Sequence, residues 1–241
     1  MKLSIVSFMF FSILCGCAIA QPKESMCKHA AMLKAYDTLG DCYWYGVMVD
    51  KDVDKAKVYY LHAAMQVGEQ GEAGKLRAGG RLLFDSDSPL EKAMGLYVLK
   101  DFSESEDVEK VDSPKYEGHY TRRGSARYLL AVHWAQSGDY QKSEFYLKKA
   151  LEDNYGQSAF ALAYLHEAEK VSSTMSHEVI LEYINEGIEK QQKYFFWEQY
   201  QSYACWLKEQ DEGRIRMTAF PVDHVVLTSL LDKHGPCLGP L

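Results

Sequence analysis

Along the chain, apolar and small residues recur three or four positions apart in long blocks separated by short polar stretches, the spacing of one-sided α-helices. The clearest pair of blocks lies between Lys28 and Val67. Ala35, Leu39 and Tyr43 mark one face of a first helix, Ala56, Tyr59/Tyr60 and Ala63 one face of a second, and Gly46 to Asp52 form the loop between them. Gly40 and Ala63 supply positions without bulk where two helix axes can approach. A second copy lies over 126–151. There Leu130-Ala131 and Trp134 take the places of Leu39-Gly40 and Tyr43, while Ser143 and Ala150 repeat the seven-residue step from Ala56 to Ala63. Internal similarity of this kind predicts an all-α stack of helical hairpins, each burying its apolar face against its neighbours.

The same residues carry a family likeness. Ala35-Tyr-Asp-Thr-Leu-Gly-Asp-Cys-Tyr-Trp-Tyr-Gly46, Val49-Asp-Lys-Asp52, Lys55-Ala56 and Tyr60-Leu-His-Ala-Ala64 resemble the Sel-one-like repeat. Residues 126–151, with Gly138-Asp-Tyr140 in the turn and Lys149-Ala-Leu151 at the end, are similar to the related tetratricopeptide repeat. Stretches 72–100 and 157–189 keep the hairpin spacing, and Tyr194 to Lys208 would be the first helix of a fifth unit. The resemblance implies an α/α superhelical solenoid of about five hairpins over 21–210. Two departures stand out: Gly79-Gly80 at the packing site of the second unit, and an insertion at 101–120 whose first twelve residues hold six acidic side chains and one Lys, a solvated loop. The region 211–241 breaks the pattern, and Pro221 to Gly235 reads as a helix capping the last hairpin.

The N-terminus is an address. After Lys2, Leu3 to Leu14 is an uncharged apolar run of twelve, too short to span a bilayer as a permanent helix and suited to a secretory signal. Ala18-Ile19-Ala20 offers ordinary cleavage after residue 20. Leu14-Cys15-Gly16-Cys17 resembles the bacterial lipobox, which removes 1–16 and acylates Cys17; Ala18 after that cysteine points to the outer membrane. Both readings place the chain in the bacterial envelope, as a lipoprotein or as a soluble periplasmic protein. In that oxidising compartment Cys27, Cys42, Cys205 and Cys237 can pair in three ways. On one straight helix Cys27 and Cys42 would stand about 22 Å apart, so their pairing requires the segment around Cys27 to fold back. A Cys205–Cys237 bond would fasten the Gly-Pro-Cys-Leu-Gly-Pro tail and is the favoured pairing.

Charge and motifs narrow the function. With 27 Lys+Arg against 34 Asp+Glu, net charge −7, the chain offers no basic footprint for nucleic acid. Gly68 to Lys75 has the wrong glycine spacing for a phosphate loop, and no serine-hydrolase elbow, zinc motif or cofactor fingerprint occurs. Recognition of another protein remains. In tetratricopeptide-like arrays the first helix of each hairpin lines the concave face, a rule that would expose Asp37, Asp41, Trp44 and Tyr45 in the first unit and Tyr128, Val132 and Gln136 in the third. The aromatic run 194–206 has more rings than one core stripe needs, and Trp197 and Tyr200 form a second candidate patch. By analogy with the family, the preferred reading is a non-enzymatic immunity protein that neutralises a toxic effector by stoichiometric binding; the alternatives are an envelope scaffold and the penicillin-binding, weakly hydrolytic activity of cysteine-rich relatives of the repeat family. No cofactor is called for.

Overall fold

A computed structural model describes residues 24–66, 68–105, 122–172, 175–194, 202–211, 219–235 and 237. Among the described residues the secondary structure is entirely helical. In chain order the helices are α1 (Glu24–Leu33), α2 (Tyr36–Tyr45), α3 (Val53–Ala64), α4 (Gly68–Phe84), α5 (Pro89–Glu104), α6 (Arg122–Gln136), α7 (Tyr140–Glu152), α8 (Gln157–Glu167), α9 (His177–Tyr194), α10 (Tyr203–Asp211) and α11 (His224–His234).

Local chemistry sets several of the boundaries. The Asp52, Ser88, Asp139 and Asp223 side chains each accept a hydrogen bond from a first-turn amide, opening α3, α5, α7 and α11. Each such cap contributes about 1 kcal/mol. Pro89 follows Ser88 at the first helical position, where its missing N–H costs nothing. Gly46 closes α2 at φ 69°, and its amide bonds back to the Cys42 carbonyl. Gly138 makes the α6–α7 turn at φ 83°.

From α1 to α9, sequence neighbours pack on one another; α5 also packs on α6, and α4 reaches both α2 and α6. Burial sorts the helices into two layers. From Gly124 to Val132 in α6, and from Gln157 to His166 in α8, every residue is buried. Helices α5, α7 and α9 instead alternate a core face with a solvent face that leaves Leu90, Met94, Tyr97, Phe145 and Leu181 exposed. The largest core cluster joins Tyr128, Leu147, Phe160, Leu162, Tyr164, Trp206, Phe220 and Leu227, so α6 to α8 share one interior with α10 and α11.

The C-terminal segment is laid against α8. Phe220 is fully buried, edge-on to Tyr164 at 6.1 Å. The Asp223 amide donates to the Tyr164 hydroxyl at 2.6 Å. Glu167 accepts Lys233 at 2.7 Å and His234 at 2.8 Å, and the Cys205–Cys237 disulfide, with a Cα separation of 4.5 Å, ties the tail to α10. At the other end Cys27 is bonded to Cys42 across 5.9 Å between Cα atoms. The fold-back this pairing requires is a break between α1 and α2, where Lys34 takes φ 53° and the Ala35 amide closes onto the Ala30 carbonyl. The sequence favoured Cys205–Cys237 over Cys27–Cys42; both bonds are present.

Two boundaries differ from the sequence reading. Residues 101–104 belong to α5, whose helix continues into the acidic stretch; 106–120 lie outside the described residues. The helix expected over 194–208 is divided: α9 runs through Tyr194 and α10 begins at Tyr203. The Ser202 hydroxyl accepts the Cys205 amide at the start of α10, a polar cap in the middle of the aromatic run.

Helices α4 and α5 touch backbone to backbone at Gly79 and Gly95. A Cβ on Gly95 would lie 2.5 Å from the Leu83 amide nitrogen and 2.7 Å from the Gly79 carbonyl, whereas one on Gly80 would meet only a Leu129 methyl at 3.4 Å. Gly95→Ala should therefore destabilise the fold by roughly 1–3 kcal/mol. Gly80→Ala should be neutral or stabilising by up to about 1 kcal/mol, because alanine loses less entropy in a helix. Urea denaturation of the two variants side by side checks the pair; equal losses would contradict the close crossing.

Candidate partner-binding face

The residues singled out on α2 face α4, one helical layer away. Asp37 and Asp41 are one turn apart on α2, and Arg77 and Arg81 are one turn apart on α4, so two complementary i,i+4 pairs meet. Arg77 bridges both acids: its Nε lies 3.5 Å from Asp37, and its Nη1 is paired with Asp41. The other Asp41 oxygen accepts the Tyr60 hydroxyl of α3 at 2.7 Å. Burial pushes that hydroxyl's pKa far above its ordinary value, with Arg81 opposing the shift, so it stays a donor.

Arg81 is the centre of the aromatic part. Its guanidinium donates to Asp85 at 2.8 Å and to the Tyr45 hydroxyl at 2.7 Å, and its carbon lies 4.7 Å from the Trp44 ring centroid. Burial holds the Asp85 carboxyl pKa above its ordinary value, with Arg81 opposing part of the rise. Arginine suits this position because its planar fork can stack and bond in two directions at once. Trp44 and Tyr45 stay half-buried, with part of each ring facing solvent.

Several sequence-based assignments are corrected here. Asp41 is 2% exposed and spends both oxygens inside the protein, so it cannot meet a partner. Tyr128, at 1%, lies against Tyr155 with ring centroids 4.9 Å apart, and Val132 is fully buried. The reason is shared: α6 is covered on the side the family rule leaves open. Asp37 is partly exposed but bound to Arg77. Gln136 is exposed and reaches the Ala219 carbonyl at 3.5 Å. Cys17, Trp197 and Tyr200 lie outside the described residues.

The surface that sequence reasoning missed is on the opposite side of the first hairpin. Tyr36 and Tyr43, two turns apart on α2, flank Tyr59 of α3: Tyr59 stacks on Tyr43 at 5.4 Å and on Tyr36 at 6.2 Å, with interplanar angles of 14° and 17°. His62 adds a ring 5.4 Å from Tyr36, and the Lys55 ammonium sits 4.2 Å from the Tyr43 centroid. A hydrogen bond to Tyr43 raises the Lys55 pKa, so the cation stays charged at neutral pH. All three tyrosines are half-exposed. The i,i+7 tyrosine pair was the available signal, but it reads equally as a core stripe until the register of α3 is known.

This ladder has a fixed geometry before any partner arrives. Stacked rings bury part of one another's faces, which leaves them little rotamer freedom to lose on binding. The described residues hold no group of three or more His, Cys, Asp or Glu side chains placed to bind a metal ion.

On the other side of α3, Lys57 reaches Glu91 of α5 at 2.7 Å, and the Ser86 hydroxyl donates to the same carboxylate at 2.5 Å. These bonds hold the Glu91 pKa below its ordinary value, Lys57 contributing most. A carboxylate whose pKa is lowered by folding stabilises fully above its unfolded pKa and loses that contribution as pH falls through the folded value. Glu91→Gln should therefore flatten the acid limb of a melting-temperature profile below about pH 4.5; an unchanged limb would show that the pair carries no linkage. No known protein family, curated protein or solved structure matches the chain.

Proposed function

We propose that this chain is a protein-binding helical array of the bacterial envelope, organised as a Sel-one-like or tetratricopeptide-like superhelix, and that it acts as an immunity protein neutralising a toxic secreted effector by stoichiometric binding. The observation that carries the reading is the Tyr36–Tyr59–Tyr43 ladder, a pre-stacked and half-exposed aromatic surface on the first hairpin. Stable interfaces concentrate their energy in such rigid aromatic anchors. Lys55, over the Tyr43 ring, adds a cation to this surface.

The disulfides favour binding over the hydrolytic alternative. In cysteine-rich relatives one bond recurs within each hairpin, whereas here one bond joins α1 to α2 and the other joins α10 to the tail. They brace the two ends of the array and leave the hairpins between them uncrosslinked. Envelope localisation rests on the signal segment, with Cys17 as the proposed acylation site; palmitate labelling that disappears in Cys17→Ser supports acylation, and a mature chain beginning at Gln21 overturns acylation in favour of a soluble periplasmic protein.

The test of function is affinity capture with the mature chain, then co-expression of the captured protein with and without it. Immunity requires a partner that is toxic alone and harmless together. Tyr59→Ala should weaken that complex tenfold or more, about 1.4 kcal/mol per tenfold, while the circular dichroism spectrum remains helical. Capture of envelope-assembly components that are harmless alone would replace immunity with a scaffold role.

A further inference from the structure

Helix α5 carries an apolar stripe that the described residues leave uncovered. Leu90, Ala93, Met94 and Tyr97 follow one another at i, i+3, i+4 and i+7, so they share one face, within about 100° of the helix circumference. All four are exposed, Leu90 and Tyr97 to 71% and Met94 to 40%. Gly95, Leu99 and Phe102, on the opposite face, are buried. No buried residue interrupts the stripe, and Glu91 and Lys92 lie off it by about 100° or more. A helix face with this much exposed apolar surface marks a protein contact.

Charge identifies the occupant. The chain as a whole carries −7, which opposes self-association, yet this face is balanced. Lys57 neutralises Glu91 at 2.7 Å, and Lys75 neutralises Asp101 at 3.6 Å. Of the α5 charges that form no ion pair among the described residues, Lys92 and Lys100 offset Glu104 and the preceding Asp87. The stripe is also complementary to itself. When a second α5 is laid antiparallel across the first, with the two-fold axis level with the Ala93–Met94 peptide bond, Leu90 stands opposite Tyr97 of the copy, Ala93 opposite Met94, and Asp87 opposite Lys100. A two-fold contact requires such a patch, in which residue i meets j and j meets i. Ala93, without bulk at the midpoint, lets the two helices approach.

We propose that α5 is the self-association face of this protein and pairs antiparallel with α5 of a second copy. One helix from each copy makes a contact at the small end of specific interfaces, so the dimer forms at micromolar rather than nanomolar concentration. The tyrosine ladder lies on α2 and α3 and contributes none of these residues, so a dimer presents the ladder twice. The inference goes beyond the immunity reading and does not rest on it.

The chain from Gln21 onward keeps both disulfides and no other cysteine, so a dimer it forms through α5 is non-covalent. Sedimentation equilibrium between about 1 and 500 μM should show monomer passing into dimer. Leu90→Glu and Tyr97→Glu should each raise the dissociation constant about tenfold or more, with circular dichroism still helical. Asp87→Lys and Lys100→Asp should each weaken the dimer about threefold, and the two together should restore it, because the exchanged charges meet again across the axis. A monomer throughout that range, or a dimer indifferent to Leu90→Glu and Tyr97→Glu, overturns the proposal. Single charge exchanges without effect, or without recovery in the double variant, overturn the antiparallel register. Failure of the effector co-expression test leaves each of these outcomes unchanged.

Discussion

Close helix crossings at residues without bulk are the constraint on which the N-terminal half of the fold depends. Gly40 meets the Tyr60 ring, Gly74 meets Ala63, and Gly79 meets Gly95 and Leu99. A helix that approaches its neighbour this closely brings flanking side chains into reach of the next helix as well. Asp41, directly after Gly40, can then touch both Tyr60 and Arg77, and Lys57 can cross from α3 to Glu91 on α5. Bulk at the crossings would separate the charges before it emptied the core.

Buried charge is affordable only where it is completely paired. Asp41 shows one solution, with a hydroxyl on one oxygen and a guanidinium on the other. Asp153, 6% exposed in the turn after α7, shows a second: Arg123 binds it in a two-pronged contact at 3.0 and 2.7 Å, and Arg127 adds a third bond at 2.8 Å. Arg127 also donates to the Ser103 carbonyl at the end of α5. One carboxylate thus locks three helices in a single relative position. Such networks contribute geometry more than net energy, because desolvation offsets much of the Coulomb gain.

The two ends of the helical fold are finished differently. At the C-terminal end α10, Phe220 and α11 cover α8, and burial raises the Tyr203 hydroxyl well above its ordinary pKa, reinforced by Glu167. At the N-terminal end α1 is pinned by one disulfide, Met26, Met32 and Leu33 remain exposed, and Tyr36, Tyr43 and Tyr59 are half-buried.

Periodicity in the sequence determined the helical class, the hairpin turns at Gly46–Asp52 and Gly138–Tyr140, and the covering helix after Pro221. These are local properties: a 3.6-residue apolar repeat, a capping carboxylate or a glycine beyond a helix end acts through neighbours a few residues away. The functional surface was harder to read. Asp41 and Trp44 were visible as polar and aromatic residues beside a packing stripe, but whether they faced solvent depended on Arg77 and Arg81, thirty-six or more residues later. Tyr36, Tyr43 and Tyr59 fitted a helical stripe equally well whether buried or stacked at the surface, and the register between α2 and α3 decided it. Tyr128 became a core residue because distant parts of the chain cover α6. The sequence alone determined which residues form helices; only tertiary structure decided which of their faces remained free, because that depends on long-range contacts that no local period encodes.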